Sequence, residues 1–220
     1  MNSRIVKTVW GLLLISLCIV GAKAANAAYT LEKNPNDSSA TAQNLDPYFS
    51  SDISYLVETD LSGTIANWSA SVYGFSGDNT YDYYSFSVGT AGSSLHLGNA
   101  VSFDIDFAEV AGLDTVLTLY DTDGTRLLAY NDDSGADCAG DLESDTFNSF
   151  FRYTFNTAGT YYIRVGQYLQ SGSLYGGPLV ADATYHLHVG TTNPTPIPGA
   201  VWLLGSGLVG LVGIRRKMKA

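Results

Sequence analysis

The sequence predicts an all-β protein, an antiparallel jelly-roll-type β-sandwich flanked by an N-terminal signal helix and a short C-terminal hydrophobic helix. Three observations predict it. Short runs rich in Val, Ile, Phe and Tyr follow one another from Tyr81 onward, and some alternate strictly. Turn sequences such as DTDG and NTAG separate these runs at spacings of roughly 8–12 residues, the rhythm of sandwiches and barrels. No middle segment sustains an apolar period of 3.6 residues. The nearest, DSSATAQNL (Asp37 to Leu45), has room for one helical turn or two, with Asp37 or Ser38 as N-cap.

The elements fall in order along 220 residues. Residues 1–27 read as a secretory signal: Arg4 and Lys7 form the positive n-region, Val9 to Val20 the apolar core, and AKA and ANA place cleavage near Ala24 or Ala27. Residues 28–190 form the sandwich. Its clearest strands are YYSFSV, VSFDIDF, TVLTLY, RLLAY, FFRYTF, TYYIRVGQY and TYHLHVG. In VSFDIDF, Phe103, Ile105 and Phe107 face one way and Asp104 and Asp106 the other. DTDG joins TVLTLY to RLLAY as a hairpin, with Gly124 available for positive φ. Residues 191–198 (TTNPTPIP) form an extended Pro/Thr linker that cannot join a sheet. Residues 199–220 carry a short apolar run and a basic end.

Charge is distributed unevenly. Between the two terminal segments the only bases are Lys33, Arg126, Arg152 and Arg164, whereas all 21 acids lie between Glu32 and Asp182. Four bases against 21 acids leave the middle at −17. Such a domain repels nucleic acid and anionic membrane, so no nucleic-acid partner is expected. The density of Tyr, Phe, Val and Leu argues against disorder. Once the signal is removed only Cys138 remains, in a polar loop spanning 131–145. The fold therefore has no internal disulfide and rests on its core, on a metal, or on both.

The acids cluster, and that is the main chemical signal. Glu32, Asn34, Asn36 and Asp37 form one group, Asp78, Asn79 and Asp82 a second, and FDIDF with Asp114 a third. Asp121, Asp123, Asn131, Asp132 and Asp133 make up a fourth. Calcium takes six to eight oxygens from such mixtures of carboxylate, amide and backbone. Asp and Asn are equally the ordinary residues of turns and caps. DTDGTRLLAYND is not an EF-hand, because Arg126 stands where that loop needs Gly and Asp132 where it needs Glu.

Enzyme readings find little support. The chain has no GxSxG or HExxH motif. His186 and His188 share one face of a strand whose other face carries Tyr185, Leu187 and Val189, which predicts a solvated pair. Asp104 and Asp106 likewise predict a solvent face rather than a glycosidase pair. The 15 tyrosines are expected mainly as strand residues with wet hydroxyls, the alternative being a ligand-binding face.

Two family resemblances follow from these residues. LEKNPNDSSATAQNL, GTI, YDYYSFSV, LDTVLTLYDTDGTRLLAYNDDS, YTFNTAGTYYIRVGQY and YHLHV, over about 29–190, resemble the bacterial pre-peptidase C-terminal domain. That resemblance implies a jelly-roll sandwich, related to the collagen-binding modules of bacterial collagenases. By the same resemblance Glu32, Asn34, Asn36 and Asp37 would hold calcium together with Asp82 and with Asn79 or Asp78. Asn34 and Asn79 stand where the family carries acids. Asp121, Asp123, Asp132 and Asp133 form a weaker calcium candidate.

The tail PIPGAVWLLGSGLVGLVGIRRK resembles the PEP-CTERM sorting tails, with Pro-Ile-Pro in place of Pro-Glu-Pro. As a helix its apolar run, Gly199 to Ile214, spans about 24 Å at 1.5 Å per residue, short of the roughly 30 Å hydrocarbon core. Arg215 and Arg216 would stay cytoplasmic by the positive-inside rule. The resemblance implies transient inner-membrane insertion, recognition by an exosortase-type enzyme, and processing between Pro196 and Pro198 or just beyond.

The expectation is thus an exported, non-enzymatic surface or extracellular-matrix protein of a Gram-negative bacterium, structural or adhesive, and calcium-stabilised. Signal peptidase and an exosortase are the processing partners. The alternatives are a module that binds polysaccharide or protein, and an accessory domain that acts in trans beside a secreted hydrolase.

Overall fold

Alternation along the strands decides which side of each sheet is apolar. The computed structural model describes residues 29–50, 68–75, 79–106, 113–133, 147–169, 172 and 175–192. The signal segment, Asp78, Cys138, Pro196, Pro198 and the tail with Arg215 and Arg216 lie outside the described residues, as do both flanking helices expected from sequence.

The described chain contains ten strands and no α-helix. They are β1 (Thr30–Leu31), β2 (Gln43–Asn44), β3 (Trp68–Phe75), β4 (Asp82–Val88), β5 (Ala100–Asp106), β6 (Thr115–Tyr120), β7 (Leu127–Asn131), β8 (Phe150–Thr154), β9 (Gly159–Gln167) and β10 (Thr184–Thr191). Two five-stranded sheets result, ordered β1-β3-β10-β5-β8 and β2-β4-β9-β6-β7. All seven strands read from the sequence are present. The Pro/Thr linker expected from residue 191 begins later, because Thr191 still pairs with Val101 and Trp68.

The expectation of purely antiparallel sheets is corrected. β1 pairs with β3 and β2 with β4 in parallel, so both sheets are mixed. The cause is the N-terminal segment, which adds a two-residue strand to the edge of each sheet. The helix considered for Asp37 to Leu45 is absent too. A single turn closes there through Thr41 N–H to Ser38 O (3.0 Å), and a 3-10 turn follows at Asp46–Tyr48, with Pro47 fitting its start. Strand β3 escaped the sequence reading. Its WSASVYGF sets Trp68, Ala70, Val72 and Gly74 on one face and Ser69, Ser71, Tyr73 and Phe75 on the other, a weak apolar contrast compared with its neighbours.

The two sheets share one apolar core, in a sandwich-like arrangement. Val72, Phe103, Ile105, Leu187 and Val189 of the first sheet meet Phe86, Leu117, Leu119, Ile163 and Val165 of the second. Phe86 packs on Phe103 across the gap at 5.4 Å, and Phe155 and Tyr161 extend the aromatic cluster. Among the described residues no helix is long and apolar enough to cross a membrane.

Candidate functional site

The site begins with a polar group set into the core-facing side of both sheets. On β4, Asp82 and Tyr84 alternate inward with Phe86, and on β10 Tyr185 faces inward from the other sheet. Tyr185 stands opposite Gly74 of β3. A Cβ at Gly74 would fall 2.1 Å from the Tyr185 ring, so glycine is what lets the ring lie flat across β3. The ring then carries its hydroxyl to the opposite sheet, where it donates to Asp82 Oδ2 at 2.6 Å. Tyr84 Oη lies 2.7 Å from Tyr185 Oη. Because the one Tyr185 proton goes to the carboxylate, Tyr84 is the donor in that bond.

The N-terminal segment closes the group. Glu32, just past β1, is 5 % exposed, and its Oε2 accepts the Phe75 N–H at 2.5 Å. Asn36 is fully buried. Its carbonyl accepts the Tyr83 N–H at 2.8 Å, which lays the segment along the start of β4. The Asn36 carboxamide stands beside the Tyr84 hydroxyl without closing a hydrogen bond of ordinary geometry. Burial pushes both tyrosine hydroxyls well above their ordinary pKa. The negative charges of Asp82 and Glu32 push the same way on both hydroxyls.

Of the residues proposed for calcium, Glu32, Asn36 and Asp82 are buried. Asn34, Asp37 and Asn79 are exposed. Asp37 Oδ1 receives the Thr80 hydroxyl at 3.4 Å, and Asn79 Oδ1 caps the Ala181 N–H at 3.1 Å. Asp121 and Asp123 act in the β6–β7 turn. Asp121 accepts from Arg126 Nε at 2.8 Å, and Asp123 Oδ1 accepts the N–H groups of Thr125 and Arg126, both at 2.8 Å. The Thr122 N–H and then Arg126 lower the pKa of the Asp121 carboxyl, and the Arg126 and Thr125 N–H groups lower that of Asp123. Partial burial and the nearby Asp132 raise the Asp133 carboxyl. Among the described residues no three His, Cys, Asp or Glu side chains gather as a metal centre.

A second polar group lies on the outer face of the first sheet, where the sequence predicted solvent. His188 is fully buried, Asp104 is 1 % exposed and Asp106 2 %. The register sets His186 opposite Asp106 and His188 opposite Asp104. His188 Nε2 lies 3.1 Å from Asp106 Oδ2, and its Nδ1 lies 2.8 Å from Ser71 Oγ on β3. The ring of Tyr29, ahead of β1, packs on His186 at 4.8 Å and His188 at 5.8 Å. A strand face turned away from one core therefore still carries buried groups, and those groups serve one another as partners. Ser, His and Asp stand in line here, but buried, with serine on Nδ1 and aspartate on Nε2. In this arrangement they tie β3, β10 and β5 together.

Sequence reasoning missed Tyr84, Tyr185 and Gly74 as parts of the site. The available signal was a tyrosine at an inward position on each of two strands, because a buried hydroxyl needs a partner. No family model and no curated protein matches this chain.

Proposed function

We propose that the chain is an exported, non-enzymatic surface or matrix protein whose jelly-roll-type sandwich is stabilised by calcium. One observation carries the reading: the carboxylates of Glu32 and Asp82 and the carboxamide of Asn36 are buried where the N-terminal segment bonds to Phe75 of β3 and Tyr83 of β4. A buried carboxylate is poorly solvated and is favoured by a proton or a cation that compensates its charge. Calcium accepts this mixture of carboxylate and amide oxygen and supplies the compensating charge. Glu32, Asn36 and Asp82 would hold it, with backbone, water or the exposed Asp37 completing the shell. Bound there, the cation would lock the N-terminal segment onto β4 and so close one end of the sandwich.

The export reading rests on the signal-like first 27 residues, on the acidic middle, and on a tail that resembles an exosortase substrate. A protein with these features would be held briefly at the inner membrane and released to the cell surface or the extracellular polysaccharide. The buried Ser71, His188 and Asp106 support a structural rather than catalytic use of the chain's only histidine–aspartate cluster among the described residues.

The test is a pair of melting curves on the full chain, one in millimolar calcium and one in chelator. Saturation at 100 times Kd adds about 2.7 kcal/mol, several degrees in a domain of this size. A melting temperature indifferent to calcium overturns the calcium reading. Mass spectrometry of the released protein tests the export reading, which expects termini near Ala24 or Ala27 and near Pro196 to Gly199.

A further inference from the structure

We propose that a pocket between the edge strands β7 and β8 binds a single neutral hexopyranose unit. The pocket lies where the open edges of the two sheets meet, and its volume is about 220 Å³. That is below the roughly 300–1,000 Å³ of drug-sized sites, the scale of one substituted six-membered ring. The proposal does not depend on the calcium site, which lies on other strands.

The chemistry of the walls selects the ligand. The partly buried Leu128 and Tyr153 supply an apolar and aromatic surface, backed by the buried Phe155 and Tyr161, whose hydroxyl donates to Thr157 O at 2.6 Å. Phe155 packs on Tyr161 at 4.5 Å and on Tyr153 at 4.9 Å, so the wall is rigid. Facing it, Asp121 and Arg126 form an ion pair at the solvent side. Arg126 has five N–H donors and directs two of them at Asp121 Oδ2, which leaves three for a ligand. Asp121 Oδ1 accepts the Thr122 N–H at 2.7 Å and keeps lone pairs for another donor. Asn156, exposed in the turn between β8 and β9, adds an amide with both functions.

A pyranose ring matches this wall by wall. It has an apolar C–H face for the aromatic side and a belt of hydroxyls, each donor and acceptor, for the ion pair and the amide. The pocket's charges cancel, while the rest of the middle is strongly acidic. An anionic sugar is therefore repelled and a neutral one accepted. Hydrolysis of a glycosidic bond calls for two carboxyl groups across the bond. Asp121 is the only carboxylate among the described residues that line this pocket. The site is thus built to bind.

The experiment uses the full 220-residue chain. Saturation-transfer NMR and isothermal titration are run with methyl glucoside, methyl galactoside and methyl mannoside, and with glucuronate as the anionic comparison. Saturable millimolar-range binding of at least one neutral glycoside, tighter than glucuronate, is expected. Arg126→Ala and Asn156→Ala each weaken it about tenfold, the loss typical of a polar contact at the centre of a small site. Both residues are exposed, so these variants melt close to the parent. Tyr175→Ala, an exposed tyrosine outside the pocket, leaves binding unchanged. No saturable binding of any of the three neutral glycosides overturns the proposal. So does a preference for glucuronate, or binding that persists in both pocket variants and is lost in Tyr175→Ala.

Discussion

Tyr185 reaches from one sheet to the other and donates its hydroxyl proton to Asp82 at 2.6 Å. The bond fastens the two layers through a charged acceptor at the end of the core where the N-terminal segment enters. Hydrogen bonds to charged groups contribute more than neutral ones, roughly 1.5–3 kcal/mol. Tyr185→Phe keeps the ring and removes the proton, so it should destabilise the fold by about that amount in urea titration. Gly74→Ala should cost a similar amount or more, since its methyl would strike the Tyr185 ring. If Tyr185→Phe leaves the urea midpoint unchanged, the inter-sheet bond contributes nothing.

Asp82→Asn separates charge from shape. In chelator this variant should melt below the parent, because the Tyr185 hydroxyl loses its charged acceptor. In calcium it should lose most of the shift that the parent shows. Full retention of the calcium shift would place the ion elsewhere.

The two buried tyrosines predict a limit at alkaline pH. Their folded-state pKa values are raised above the ordinary value of 10, first by burial. Groups raised in this way contribute stability that is complete below the unfolded pKa and falls as pH rises beyond it. Stability should therefore hold up to about pH 10 and then decline. Absorbance of tyrosinate near 295 nm should show Tyr84 and Tyr185 ionising only as the protein unfolds. Ionisation of these two in the intact fold at pH 10 would contradict the burial argument.

Ser71, His188 and Asp106 should behave as one unit. Ser71→Ala removes the partner of Nδ1 and should cost about 1–3 kcal/mol, the penalty for stranding a buried polar group. Asp106→Ala should cost more, toward 3–5 kcal/mol, if the imidazole is left charged. Because the two share one imidazole, the double variant should depart from additivity by about 0.5–3 kcal/mol. Strict additivity in denaturant titrations would show that the ring does not couple them.

Much of the fold was legible in the chain itself. Period-2 runs such as VSFDIDF and turns such as DTDG are local properties, and they located seven strands, from β4 to β10, to within a residue or two. Composition also bounded the class: an acidic, tyrosine-rich middle with a single cysteine. Strand β3 was illegible because each of its faces mixes small residues with large apolar ones, which leaves little contrast between them. The short parallel strands β1 and β2 were illegible because two residues carry no period at all.

The candidate site divides in the same way. The sequence alone marked Glu32, Asn36 and Asp82 as oxygen donors, since the residue types and their order suffice for that. Which of the calcium candidates are buried was decided only in three dimensions, where the N-terminal segment buries Glu32 and Asn36 and leaves Asn34 and Asp37 outside. Tyr185 lies 103 residues from Asp82, and it reaches that carboxylate only because a glycine on a third strand leaves room for its ring. Likewise His188 and Asp106 are adjacent only through the pairing of β10 with β5. Local pattern determines which face a side chain takes. What covers that face, and which distant group meets it there, depends on how the strands are paired and stacked.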